Sequence, residues 1–301
     1  MTLYGVVETG GTKMVCAIVA GPDDVRDEVR FPTTTPEDNI PQIIAFLQRH
    51  HQQSPLAAVG IGSFGPIVLD RSLSNYGSVA PTTKPGWSNA QVVAPIRAAL
   101  TIPVGFDLDV TTAGLGELMW GAGKGLNHVV YYTVGTGIGA GVITNGQPIA
   151  CLAHPEAGHQ RISRLPEDTF PGNCSFHVDC LEGMAAGPAI EKRWGVKAHL
   201  LPPDHIAWRF QADYLAQAVM NTILFVSPQR IILGGGVMDQ EHLFPMIRTR
   251  VLERLNGYIN LEPITHHIDE FIVPPALGNR AGMLGALVLA MRAAGHASAE
   301  V

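Results

Sequence analysis

Cysteine is scarce in this chain: only four occur in 301 residues. Cys16 and Cys151 stand alone in apolar surroundings, so no secreted disulfide framework is present. Charge is sparse as well, at 15% of residues, and its balance is net −6, with 20 Lys and Arg against 26 Asp and Glu. With no basic stripe, that balance argues against a nucleic-acid surface. Long hydrophobic runs are missing: the longest, Met283 to Met291, falls short of the ~20 residues a bilayer crossing needs. Met1 leads at once into a strand-like run, without the basic and apolar regions of a secretory leader. The expectation is a soluble cytoplasmic protein with no membrane or nucleic-acid partner. What is plentiful is apolar sequence, 46% of the chain, on a length that suits two domains of about 100–200 residues each.

The other two cysteines fall in a ligand-like array, His159-x14-Cys174-x2-His177-x2-Cys180, with Glu156 just before it and Glu182 just after. Two-residue spacers let a tight turn aim neighbouring side chains at one ion, and a distant fourth ligand closes a tetrahedron. Four protein ligands leave no open position, so such a zinc would hold structure and not activate water. It would hold still a polar pocket containing Glu156, His159 and Glu182. A short-loop disulfide between Cys174 and Cys180 competes with this reading, as do unrelated loop residues; a reducing cytoplasm favours the metal.

A plan recurs along the chain. A strand over Tyr4–Glu8, a turn at Thr9–Thr12 and a strand over Lys13–Val19 are matched by a strand over His128–Val134, a turn at Gly135–Gly139 and a strand over Ala140–Thr144. After helical sequence, each half carries a short apolar strand running into glycine: Ala57–Ile61 before Gly62, and Arg230–Leu233 before Gly234-Gly235-Gly236. Two similar α/β lobes with a cleft between them are expected, the chain crossing near Asn127. Helices are read over Ile40–His51, Thr111–Trp120 and Asp213–Val226 from apolar spacing, the last ended by Ser227-Pro228. A final helix, Asn279 to Ala294, is apolar nearly all round and should be buried.

Three glycine turns can admit a phosphate, because a turn without Cβ atoms lets oxygens approach backbone N–H groups. They are Gly10-Gly11-Thr12-Lys13, Gly135-Thr136-Gly137 and Gly234-Gly235. The first is not a Walker A loop, since the spacing is absent and a strand follows Lys13. Each turn alone is more often just an ordinary tight turn; their matching places in two lobes point to a nucleotide. The buried strand Pro103–Leu108 delivers Asp107 and Asp109 at its end, where a helix starts. Asp109 is placed either to take a proton from a substrate hydroxyl or to cap that helix, and Asp107 reads as structural.

These segments resemble the ROK family of sugar kinases and sugar-responsive repressors. Glu8-Thr9-Gly10-Gly11-Thr12-Lys13, Asp109 before Gly114-Leu115-Gly116-Glu117, Gly135 to Gly139, Glu156-Ala157-Gly158-His159 and the Cys174-to-Glu182 cluster occur in family order. The cluster, with FPGNC before it and GMAAGPAI after it, is most similar to the bacterial fructokinase branch. The resemblance implies two ribonuclease-H-like lobes of the actin and hexokinase superfamily: 1–122 with a returning C-terminal helix 279–297, and 123–278 with the zinc loop. It implies ATP- and Mg²⁺-dependent phosphorylation of a hexose, fructose first, with mannose, glucose and N-acetylhexosamine as competing acceptors and a non-catalytic sugar sensor as the alternative. Asp109 would be the base. Glu156, His159, Glu182 and Lys84 would line the sugar side, although a turn packing Trp87 into the core explains Lys84-Pro85-Gly86-Trp87 as well. The glycine turns would enclose ATP, zinc would sit on His159, Cys174, His177 and Cys180, and a homodimer is a family expectation. Three positions depart from the family pattern: Glu8 replaces the usual Asp, and Leu108 and Thr111 stand where many members carry Asn. No helix-turn-helix sequence precedes Tyr4, which disfavours the repressor branch.

Overall fold

A computed structural model of the chain describes residues 1–296; Ala297, the last residue of the expected returning helix, lies outside them. The chain divides into two compact units. Among the described residues, the first takes in Met1–Asn127, Gly141–His154 and 276–296; the second takes in His128–Ala140 and Pro155–Pro275.

The first sheet contains β1 (Leu3–Thr9), β2 (Lys13–Gly21), β3 (Asp24–Pro32), β4 (Leu56–Ser63) and β5 (Val104–Leu108), in the order β3-β2-β1-β4-β5. β1, β2 and β3 form an antiparallel meander, while β4 and β5 run parallel to β1. Parallel neighbours need long crossovers. α1 (Pro36–Gln53) supplies the first, and α2 (Val93–Leu100) precedes β5. β3 was not anticipated from the sequence: DVRDEVRFP is charged and weakly apolar. It is an edge strand, and charges there discourage pairing with another chain.

The second sheet repeats this wiring with β6 (Val129–Val134), β7 (Ile138–Thr144), β8 (Gln147–Pro148), β9 (Arg230–Gly234) and β10 (Ile272–Val273), in the order β10-β9-β6-β7-β8. Strand for strand this is the first order again, as two ribonuclease-H-like folds require. Ile138 and Gly139, read from sequence as turn, already belong to β7, because only Gly135–Gly137 are needed to reverse the chain.

Helices α3 (Asp109–Trp120), α4 (Leu181–Ala185), α5 (Gly187–Trp194), α6 (Ala207–Val226), α7 (Leu243–Leu255), α8 (Glu262–Thr265), α9 (Ile268–Phe271) and α10 (Ala281–Ala293) complete the α-helices among the described residues. α6 starts six residues before the expected Asp213, since Ala207, Trp208 and Phe210 extend its buried face. α10 belongs to the first unit. Glycines let its backbone touch its neighbours: a Cβ on Gly60 would lie 1.8 Å from the Ala286 carbonyl oxygen, and one on Gly285 would lie 1.6 Å from that of Thr112. No helix among the described residues is long and apolar enough to cross a membrane.

Candidate active site and metal cluster

In the first unit, the C-terminal ends of the parallel strands β1, β4 and β5 share one edge, where open α/β sheets place ligands. Buried Thr9 donates from Oγ1 to Ser63 Oγ at 2.9 Å, and the Phe64 amide donates to the Thr9 carbonyl, stitching the two strand ends together. The turn beyond Thr9 closes with Gly10 N–H on the Lys13 carbonyl at 2.9 Å. A Cβ on Gly10 would come within 2.7 Å of that same oxygen, whereas one on Gly11 would meet nothing within 4 Å. Gly10 therefore satisfies the turn, and Gly11 presents a bare face. Gly11, Thr12 and Lys13 are all exposed.

Asp109 is the first residue of α3, and the cap position falls on Leu108. Its Oδ1 accepts the N–H of the next residue, Val110, at 2.7 Å, instead of an N–H two or three residues on as a capping side chain would. Its pKa is pushed up to about 7: desolvation dominates and the Glu8 carboxylate adds to it, against the opposing Val110 bond. Glu8, near the end of β1, is itself raised by burial, partly offset by Lys13 and Arg30, and its carboxyl group sits beside Gly282 in the first turn of α10. Asp107 behaves as the sequence suggests for a structural acid. It is 8% exposed and lifted to about 6 by burial, held back by the Leu108 amide, the Thr111 hydroxyl and Arg292. Two of the three departures from the family pattern are thereby accounted for. Thr111 serves Asp107, with its backbone tight against Gly141, and Leu108 packs on Gly65.

Lys84-Pro85-Gly86-Trp87 forms a turn in which Trp87 N–H donates to the Lys84 carbonyl at 3.2 Å. Proline second and glycine third, with Gly86 at φ +78°, mark a type II turn. Trp87 is fully buried, edge-on to Phe64, and its Nε1 donates to the Thr34 carbonyl at 2.8 Å. Lys84 Nζ donates to the carbonyl of Gly11. The structure thus brings Lys84 to the first glycine turn.

In the second unit, two glycine turns lie at the ends of the adjacent parallel strands β6 and β9, where Thr133 pairs with Gly234. Gly135 N–H donates to the Gly137 carbonyl and Gly187 N–H to the Gly135 carbonyl, leaving Thr136 at the tip. Gly235, at φ +90°, lies against the backbone of Val134, where a Cβ would come within 2.5 Å. The Glu156-Ala157-Gly158-His159 motif forms a single 3₁₀ turn, with His159 N–H on the Glu156 carbonyl at 2.9 Å. Its glycine is explained by contact: a Cβ there would sit 1.9 Å from the Ile138 carbonyl oxygen. Glu182, in the first turn of α4, accepts the Ile138 N–H through Oε2 at 2.9 Å, and this oxygen also faces Gly137. The carboxylate read as a sugar ligand thus also fastens the glycine turn.

His159, Cys174, His177 and Cys180 converge, with one candidate ligand atom from each lying within 4.8 Å of all the others. Cys174 Sγ is 3.7 Å from His159 Nδ1 and 3.8 Å from His177 Nδ1, and Cys180 Sγ is 3.6 Å from His159 Nδ1. A tetrahedral zinc with bonds of ~2.3 Å to sulfur and ~2.0–2.1 Å to nitrogen separates such ligand atoms by roughly 3.5–3.8 Å. The donor set fits that ion, and both cysteines are free thiols.

One set of residues around the cluster escaped the sequence reading. Asp168 accepts from Arg193 at 2.6 Å, from the Phe170 amide at 2.9 Å and from the Tyr214 hydroxyl. The Arg193 guanidinium in turn lies 4.1 Å from the Phe210 ring centroid. On the next turn of α6, Gln217 clasps Ser163, taking its N–H at 2.6 Å and donating to its carbonyl at 2.8 Å. These bonds fix the excursion between His159 and Cys174. No local spacing could have paired Asp168 with Arg193, since their partnership exists only once α5, α6 and the loop pack together.

The model of the ROK family matches residues 4–293. The chain is 43% identical over 301 residues to the putative fructokinase of Bacillus subtilis (strain 168), covering 99% of each. It is 42% identical to the fructokinase of Pediococcus pentosaceus, covering 97% of this chain and 98% of that one. Among solved structures, the ROK hexokinase from Thermus thermophilus superposes with a TM-score of 0.79 at 22% identity, over 98% of this chain and all of that one; at that identity the likeness speaks for the fold alone. The match over nearly the whole length places the chain in the ROK family.

Proposed function

We propose that this protein is an ATP- and Mg²⁺-dependent hexose kinase that converts D-fructose to fructose 6-phosphate. The observation that carries the reading is full-length identity above 40% to relatives named fructokinase, joined to a carboxyl group at a parallel-strand end whose pKa lies near 7. A base poised near the working pH is what proton removal from an alcohol needs.

In this reading Asp109 accepts the proton of the sugar's primary hydroxyl as that oxygen attacks the γ-phosphorus in line and ADP departs. On the turn that Gly10 closes, the Gly11 N–H, the Thr12 hydroxyl and Lys13 serve the phosphates. Gly135, Thr136, Gly137, Gly234 and Gly235 serve the nucleotide. Glu156, His159 through Nε2 and Glu182 through Oε1 bind sugar hydroxyls, since His159 Nδ1 faces the cysteines and Glu182 Oε2 holds Ile138. Magnesium, when bound, would neutralise the phosphates; the half-buried oxygen donor Glu8 suits its water shell, because hard cations favour carboxylate oxygens. His159, Cys174, His177 and Cys180 would hold zinc as a structural crosslink that keeps the Glu156–His159 turn and Glu182 in register. A homodimer and a cytoplasmic location complete the proposal; sedimentation and cell fractionation test them.

The test is an ADP-release assay with fructose, mannose, glucose and N-acetylmannosamine. Fructose should give the highest kcat/KM, and Asp109→Asn should lose about 10²–10⁴-fold in kcat. Sugar binding without ADP release would make the protein a sensor, and full turnover in Asp109→Asn would remove the base.

A further inference from the structure

The chain has only five lysines, Lys13, Lys84, Lys124, Lys192 and Lys197, and two of them meet at one glycine turn. Lys13 belongs to that turn by sequence. Lys84 reaches it from a separate segment, over 70 residues away, and donates from Nζ to the Gly11 carbonyl while passing 5.5 Å from the Phe64 ring centroid.

Everything behind the Lys84 ammonium is fixed. Its backbone lies in the type II turn, cross-braced where the Thr82 amide donates to Ser88 Oγ at 3.0 Å. Trp87 anchors this turn to Thr34, while the preceding residue, Thr33, bonds the glycine turn twice: N–H to the Thr12 carbonyl and Oγ1 to the Gly10 carbonyl. The Lys84 turn and the Gly10–Lys13 turn are therefore one braced piece, from which only the half-buried four-carbon arm of Lys84 can swing. At present that arm holds a neutral carbonyl. An ammonium gains far more from an anionic oxygen than from a neutral one, and the bare face of Gly11 lies beside it. A neutral sugar offers no such gain.

We infer that Lys84 is a catalytic lysine that leaves the Gly11 carbonyl for the terminal phosphate of ATP, and is not a ligand of sugar hydroxyls. This rests on the kinase reading. During transfer the sugar oxygen–phosphorus bond forms and the bond to the bridging oxygen breaks. That electron pair departs with ADP, the hydroxyl proton goes to Asp109, and Lys84 stays protonated throughout, neutralising the phosphoryl oxygens.

The experiment uses Lys84→Met and Lys84→Arg in the full, metal-loaded chain, with far-UV circular dichroism confirming the fold. ATP and fructose are varied separately, and binding of ADP, of the non-hydrolysable ATP analogue AMPPNP and of fructose is measured by calorimetry. Lys84→Met should lower kcat about 10²-fold. It should also weaken AMPPNP at least about fivefold while ADP and fructose affinities stay within about threefold, and Lys84→Arg should recover part of both losses. A raised KM for fructose with kcat retained would make Lys84 a sugar ligand and overturn the inference. Equal weakening of ADP and AMPPNP would reduce it to a prop for the turn, and unchanged constants throughout, or no nucleotide binding by the parent protein, would also overturn it. Should the parent bind nucleotide yet phosphorylate no hexose, the kinase reading fails, while the AMPPNP-to-ADP comparison still decides the phosphate contact.

Discussion

Replacing Asp109 by Asn should alter the pH dependence of both rate and stability, in opposite senses. The carboxyl titrates near pH 7 in the folded chain against an ordinary value of 3.8, so between those values the folded state holds a proton that the unfolded state has lost. Its burial is harmless below about pH 4 and destabilises progressively as pH rises toward 7. At 1.36 kcal/mol per pKa unit the full shift corresponds to about 4 kcal/mol at pH 8, reduced to about 2–3 kcal/mol because the side chain is partly exposed. Asn keeps the bond to Val110 and carries no charge. Asp109→Asn should therefore be more stable than the parent at pH 8, with an advantage that shrinks by about 1–2 kcal/mol on going to pH 5.5. Urea unfolding of the metal-loaded proteins at both pH values reads this difference directly, because other titrations are common to the pair. In the parent, kcat/KM should fall about tenfold per unit below pH 6 as the base is protonated, and Glu8→Gln should move that limb lower, since the Glu8 charge helps to raise Asp109. A limb flat down to pH 5, or an Asn variant less stable than the parent at pH 8, would refute the reasoning.

Glu117 is fully buried and accepts three backbone N–H groups, those of Ala122, Ala276 and Leu277. Glu117→Leu should cost about 3–6 kcal/mol in urea unfolding and Glu117→Gln less, because each orphaned buried donor costs about 1–3 kcal/mol; a loss under 0.5 kcal/mol (about the scatter of surface substitutions) would contradict those bonds. Gly158→Ala has no room beside the Ile138 carbonyl, so it should destabilise by about 1–3 kcal/mol and weaken sugar binding while sparing ADP affinity, both readable by calorimetry. Purified protein without a histidine tag should carry about one zinc per chain, and its removal by a chelator should lower the thermal midpoint and make Cys174 and Cys180 reactive to thiol reagents. Elemental analysis finding no metal would remove that crosslink.

How much of this was legible beforehand differs by element. β1, β2, β6 and β9 declare themselves as apolar runs ending in glycine, so the repeat of the plan could be read although the halves share little sequence. β3 could not, because DVRDEVRFP owes its strand to pairing with β2 and not to an apolar face of its own. The convergence of His159, Cys174, His177 and Cys180 was legible because two-residue spacing is a local signature of it. The loop that brings His159 to the cysteines was not: it depends on Asp168, Arg193, Tyr214 and Gln217, and a charge pair across packed helices has no periodicity to betray it.

What the sequence determined by itself is the kind of chemistry: which residues are acids, soft ligands and Cβ-free turns, and in what order they come, since side-chain type and short spacing are local properties. Tertiary packing alone decided how those residues are set. It moved the Asp109 pKa to near 7 by excluding water, gave Thr111 to Asp107, used one oxygen of Glu182 to fasten Ile138, and laid Lys84 across Gly11. Desolvation and long-range hydrogen bonds depend on neighbours far along the chain, and no window of sequence contains them.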